Sequence, residues 1–172
     1  RAAARIDFKK FEWLNAQYMK EADDARLAKL VKPRIEKRGG HPETGADLAG
    51  VCNLLKSRAA TLEVLADAAM LFYKPLERDP QAVKLALADG NREALTAFVQ
   101  AIEPIEDFTP EAIYGALKAV MQEKNIKMGP IATPLRVLVC NADKTPQIDR
   151  TLALFGKKEV LARIASGLAM AE

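Results

Sequence analysis

At 172 residues, with 49% apolar and 28% charged side chains, the chain has the balance of a soluble globular protein able to bury a sizeable core. No apolar run reaches the roughly 18 residues that span a bilayer, and the charged N-terminus lacks the apolar core of a signal peptide. The net charge of +3 is unevenly spread: residues 77–111 hold three basic against eight acidic residues, residues 112–163 nine against four, and residues 26–38 six against one. Separated basic regions suit a polyanion partner, and solvated helix faces produce the same clustering, so composition leaves both readings open.

Asp7 is placed to cap a first helix running to about Ala22. Its wide apolar stripe (Phe8, Phe11, Trp13, Leu14, Tyr18 and Met19) predicts a deep position in the domain. Asn15 interrupts that stripe, either as a core amide bonded to backbone or as a surface anchor for a partner. Asp23 or Asp24 begins a second helix, which Pro33 should bend or end and Gly39-Gly40 stop. Thr44 is the expected cap of a third helix carrying Leu48, Val51, Cys52, Leu54 and Leu55, and Thr61 the cap of a fourth. Arg58 falls at the junction of these two. It can serve the helix dipole there, or keep its fork of five donors free for a planar partner.

These four segments predict a helical bundle closing near Tyr73-Lys74-Pro75, with the polar connection Lys74–Asp79 as the boundary. The first subdomain is therefore placed at residues 1–76 and the second at 77–172. Asp79-Pro80 starts a helix, Asp89-Gly90-Asn91 separates it from the next, and Thr109-Pro110-Glu111 starts another. The run Leu135-Arg136-Val137-Leu138-Val139 has strand-like β-branching, yet no partner strand is visible, so a helix is predicted. Residues 148–155 form a short helix ended by Gly156, and 158–170 form the last. The fold class is all-α, as two packed helical subdomains.

Within the second subdomain, residues 127–156 are the most sharply punctuated stretch, with Gly129-Pro130, Thr133-Pro134, Thr145-Pro146 and the polar turn Asn141-Ala142-Asp143-Lys144. Arg136 stands alone in an apolar run, as a snorkelling or paired arginine or as a ligand-binding group. Chemistry-bearing patterns are otherwise sparse. Cys52 and Cys140 lie in apolar runs and read as buried free thiols of a reducing compartment, and His41 as a solvated loop histidine. There is no phosphate loop, nucleophile elbow or zinc spacing, so no catalytic, cofactor or metal residue is assigned. The start at Arg1 without methionine suggests a fragment or a processed product.

Three blocks carry a family resemblance. Lys10-Phe11-Glu12-Trp13-Leu14-Asn15-Ala16-Gln17-Tyr18-Met19-Lys20 resembles a K-hydrophobic-x-W-L/M-N-x-x-Y-I-K segment. Leu54-Leu55-Lys56-Ser57-Arg58 with Thr61-Leu62 forms the second block. The third joins Gly129, Pro134-Leu135-Arg136 and Thr145-Pro146 to the ending Leu154-Phe155-Gly156-Lys157-Lys158-Glu159-Val160-Leu161-Ala162-Arg163-Ile164. In this order and spacing they resemble the C-terminal, anticodon-binding half of bacterial glutamyl-tRNA synthetases, over essentially the whole chain.

The resemblance implies a pair of α-helical subdomains that bind the anticodon loop of glutamate tRNA. Arg58 resembles the arginine that recognises the third anticodon base, a cytosine, and implies a discriminating enzyme. Arginine offers donors only, which suits the acceptors on a cytosine edge. Thr145 and Pro146 match the turn that contacts the middle base, Arg136 and Lys118 match basic positions of the site, and Ile148 an apolar position near the bases. Two departures stand out: Gln147 replaces a glycine after Thr-Pro, and Cys140-Asn141 replaces Thr-Gly, which would give the turn a different backbone shape.

The family's two nucleotide-binding signatures are absent, so this stretch is expected to bind neither ATP nor glutamate and to be inactive alone. The parent enzyme is expected to be a cytoplasmic, monomeric ligase using ATP with magnesium, in which these residues work beside the catalytic half of their own chain. The competing reading is a helical protein-interaction domain whose basic faces are merely solvated.

Overall fold

Helix caps set most of the element boundaries. In the computed structural model, which describes residues 8–171, α1 spans Phe8–Glu21, α2 Asp24–Lys37, α3 Leu48–Leu55, α4 Leu62–Tyr73 and α5 Pro80–Ala86. They are followed by α6 Asn91–Ile102, α7 Pro110–Lys124, α8 Gly129–Cys140, α9 Ile148–Phe155 and α10 Lys157–Ala169. The architecture is all-α, and no strand occurs among the described residues. Asp23, Thr61, Asp79 and Thr109 each accept a backbone N–H of the following first turn, as expected of N-caps. The expected cap Asp7 lies outside the described residues. Asp47 rather than Thr44 caps α3, accepting from the Gly50 N–H at 2.8 Å, while the Thr44 hydroxyl turns back to the His41 carbonyl. Both residue types cap well, and the one next to the first apolar turn is used.

The chain divides into two compact units, Arg1–Lys74 and Pro75–Glu172. In the first, α2 packs against α3 and α4. Its core joins Leu27, Val31 and Ile35 of α2 to Val51 and Cys52 of α3 and to Leu65 and Phe72 of α4. Proline 33 neither ends nor divides α2, which runs on to Lys37. A proline inside a helix costs about 3 kcal/mol. Burying Leu27, Val31 and Ile35 on both sides of it contributes roughly 1.5–3 kcal/mol each, so packing wins.

Helix α1 departs from expectation. Phe8, Phe11, Trp13 and Tyr18 are 62–78% exposed, and Met19 is its only buried residue. The apolar period marked a face that wants cover, but within this unit α1 lies mainly against the turn 56–58, which is too small to cover it. Asn15 is accordingly exposed, and its amide donates to the Ala60 carbonyl.

In the second unit α6 packs against α7 and α8, α7 against α9, and α8 also against α5 and α10. Phe98, Leu117, Leu135, Leu138, Leu152 and Ile164 are fully buried there. The ambiguous run 135–139 is helical because Ile131, Leu135, Leu138 and Val139 recur at helical spacing on one buried face. Gly167 of α10 allows close approach at that face, since a Cβ there would meet Leu138 Cγ at 2.5 Å. Gly156, at φ +79°, both ends α9 and begins α10.

Candidate nucleic-acid interface

Arg58 closes a three-residue 3-10 turn, Lys56–Arg58, at the end of α3. Lys56 is folded inward, donating to the Ala22 carbonyl and pairing with Asp24, both at 2.8 Å. Pairing with Lys56 holds the Asp24 carboxyl below the usual carboxylate range. Arg58 is exposed and bonds to no described residue, helix carbonyls included, so its five donors are unspent.

The neighbouring basic stretch behaves differently. Arg34 donates to Glu63 (2.8 Å) and to the Leu30 carbonyl (2.6 Å), and Arg38 reaches Asp67 (2.6 Å) and Glu63 (2.7 Å). Lys32 pairs with Glu43. These bonds hold the Glu63 and Glu43 carboxyls below their ordinary values, with Arg38 and Lys32 respectively as the leading cause. The positive excess of residues 26–38 is thus partly met by acidic side chains of α4 and of the loop between α2 and α3. Charge counted along the chain overstated the field available to an anion.

In the second unit, Arg136 projects half-buried from α8, and its Nε donates to the Thr145 hydroxyl at 3.4 Å. That hydroxyl donates in turn to the Pro146 carbonyl at 3.0 Å. The terminal nitrogens of Arg136 bond to no described residue. Arg136, Thr145 and Pro146 therefore form one half-buried polar group, built where the loop after α8 folds back on that helix. Ile148, first residue of α9, is 7% exposed, so its side chain anchors the loop's far end in the core. Lys118 is exposed on α7 and makes no bond to a described residue. Five of the six site residues foreseen from sequence lie in this unit; Arg58 belongs to the first.

The two departures at the turn make different demands on the backbone. Gln147 sits at φ −53°, ψ 121°, which any residue adopts. Asn141 takes the left-handed conformation at φ 49°, where glycine is favoured and asparagine tolerated.

Two residues to which the sequence reading gave no site role bear on this region. Arg78, in the segment before α5, donates from Nε to the Leu138 carbonyl (2.7 Å) and from its terminal nitrogens to the Arg163 carbonyl (2.6 Å) and Ser166 hydroxyl (3.1 Å). Arg163 donates to the Val139 carbonyl (2.7 Å) and to Glu159 (2.6 Å), with its guanidinium 4.5 Å above the Phe155 ring. Burial, with repulsion from Arg163, lowers the pKa of Arg78. Only the Glu159–Arg163 spacing was a usable sequence signal for this cluster.

No group of three or more His, Cys, Asp or Glu side chains among the described residues is placed to hold a metal ion. No described helix is long and apolar enough to cross a membrane. Cys52 and Cys140 are both buried, and burial pushes their thiols up to about 11 and about 12. The side chains here can present donors to a polar, acceptor-rich ligand; they offer no activated nucleophile.

A family model for an anticodon binding domain matches residues 16–168. The chain is 46% identical over 167 residues to the glutamate–tRNA ligase of Bordetella petrii, an alignment spanning 96% of this chain and 35% of that protein. It is 42% identical over 172 residues to the glutamate–tRNA ligase of Burkholderia mallei, spanning 98% and 36%. Its fold is similar to that of a glutamate tRNA ligase from Elizabethkingia meningosepticum, solved in complex with its amino acid, with a TM-score of 0.80 at 22% identity. That match covers 99% of this chain and 34% of the other. The chain thus spans about a third of the length of these relatives.

Proposed function

The chain belongs to the anticodon binding domain family, and on that premise we propose that it reads the anticodon loop of glutamate tRNA on behalf of a glutamate–tRNA ligase. The observation that carries the reading is Arg58: an exposed arginine that bonds to no described residue, whereas the guanidiniums of Arg34 and Arg38 are already bonded.

An anticodon loop offers unstacked bases whose edges a side chain can reach. Arg58 brings donors to the acceptors of the third base when that base is cytosine. A guanine there turns N–H groups toward the same donors, leaving both sides unpaired, which is how a polar site rejects a near-cognate ligand. Arg136, with Thr145 and Pro146, is proposed to meet the middle base. Lys118 supplies a phosphate contact that adds affinity and salt dependence without sequence choice. Ile148 supports the turn from beneath.

The ligase as a whole is proposed to be a cytoplasmic monomer using ATP with magnesium. The ATP-dependent chemistry is assigned to the part of the relatives' length that lies beyond this chain. Within this chain the residues bind and discriminate.

The test is electrophoretic binding of anticodon stem-loops differing at the third base, with wild type and Arg58→Gln. Glutamine offers both a donor and an acceptor, so the variant should relax the cytosine-over-guanine ratio by about 5- to 150-fold, the span of roughly 1–3 kcal/mol for one base contact. An unchanged ratio removes Arg58 as the reader. Wild-type binding that ignores every anticodon base removes the function.

A further inference from the structure

The end of α8 is tied down more heavily than a surface helix end requires. Terminal carbonyls of a helix are ordinarily met by a short cap and by water. Here the Ala142 and Asn141 N–H groups take the Arg136 and Val137 carbonyls at 3.2 and 3.1 Å, in the left-handed cap. Arg78 then takes the Leu138 carbonyl and Arg163 that of Val139, both at 2.7 Å. Four successive carbonyls are thereby occupied, two of them by guanidiniums from elsewhere in the unit. Asn141 adds a further tie, its amide donating to the Glu77 carbonyl at 2.5 Å, one residue before Arg78.

Such an arrangement has a cost. Arg78 is taken partly out of water and set near a second arginine, with no carboxylate among the described residues bonded to it. A stability role alone would be met more cheaply by a neutral cap. What the clamp secures is the geometry just beyond it: residues 141–147 leave α8 at the clamped end, and the chain returns so that Thr145 meets Arg136 one turn inside it. A shift or fray of the last turn of α8 would move the Arg136 backbone and the loop start together.

Resting on the reading of the preceding section, we infer that Arg78 is a positioning residue for the middle anticodon base, acting with Asn141 through the end of α8 to hold Arg136, Thr145 and Pro146 in register. Neither is assigned a contact with RNA. The effect is on fit, because a site built from directional donors loses discrimination when its parts are displaced.

The experiment measures binding of the 172-residue chain to two sets of stem-loops, one varied at the middle base and one at the third. Arg78→Met keeps the bulk and removes the donors, Arg78→Lys restores one donor, and Asn141→Ala makes the left-handed cap unfavourable. Both Arg78→Met and Asn141→Ala should lower middle-base discrimination by about tenfold, the scale of one lost hydrogen bond. Third-base discrimination should stay within twofold of wild type, and Arg78→Lys should recover part of the loss. Helical circular dichroism identifies a variant that fails to fold; if Arg78→Met does so, Asn141→Ala carries the decision. Unchanged middle-base discrimination in a folded variant, or equal loss at both bases, overturns the positioning role and leaves the function standing. A wild-type chain indifferent to the middle base overturns both.

Discussion

Replacing Gly167 with alanine sets two well-scaled effects against each other. Residue 167 lies inside α10, where alanine is favoured over glycine by about 1 kcal/mol, so propensity alone predicts stabilisation. The added Cβ would sit 2.5 Å from Cγ, 2.8 Å from Cδ2 and 3.2 Å from Cβ of Leu138. Leu138 is fully buried and cannot swing into solvent, so α8 and α10 must part or its rotamer must strain. Overpacking of this kind costs about 1–3 kcal/mol. Contacts this far inside van der Waals range belong at the upper end, giving a net loss of about 1–2 kcal/mol. Leu138→Ala alone should cost about 2–5 kcal/mol by opening a cavity. In the double variant the methyl at 167 has room, so the pair should be more stable than the sum of the singles by at least about 1 kcal/mol. Urea denaturation followed by circular dichroism, with m-values compared, provides the numbers. A Gly167→Ala protein stabilised by the full propensity term, or strict additivity in the double, would refute the close packing of α10 on α8.

Three further outcomes follow from burial and charge. Phe98→Ala should destabilise by about 3–5 kcal/mol, since Phe98 is fully buried, whereas Phe11→Ala should shift stability by about 0.5 kcal/mol or less; comparable losses would mean that α1 is covered. The thiols of Cys52 and Cys140 sit above the ordinary value of 9.0, so their contribution to stability is intact below about pH 9 and lost as pH rises through about 11 to 12. A chromogenic disulfide reagent at pH 8 should therefore label both cysteines only on unfolding, and rapid labelling of either in the native chain would contradict its burial. Asp24 has the opposite sign: its lowered pKa contributes stability above the ordinary 3.8 that is lost as pH falls through the depressed value. Lys56→Met should flatten the fall in urea midpoint between pH 7 and pH 3, and an unchanged acid slope would show that the pair carries no linkage.

Local chemistry determined the element list. Capping residues followed by proline or an apolar turn, at Thr61, Asp79-Pro80 and Thr109-Pro110, mark helix starts because a helix end has orphan N–H groups that must be met within a few residues. The order and spacing of three motif blocks carried the family resemblance, which the anticodon binding domain model over residues 16–168 bears out. Tertiary packing decided what local signals left open. It carried α2 through Pro33 and made a helix of 129–140, since burial on one face outweighs propensity. It also decided which charges are spent. Arg34, Arg38 and Arg58 are alike in a sequence, and only the placement of Glu63 and Asp67 on α4 separates two bonded guanidiniums from one that bonds to no described residue. The exposure of α1 and the grip of Arg78 on α8 were illegible for the same reason: each depends on what residues far along the chain bring within a few ångströms. A pattern of side chains states what must be satisfied; the fold decides by whom.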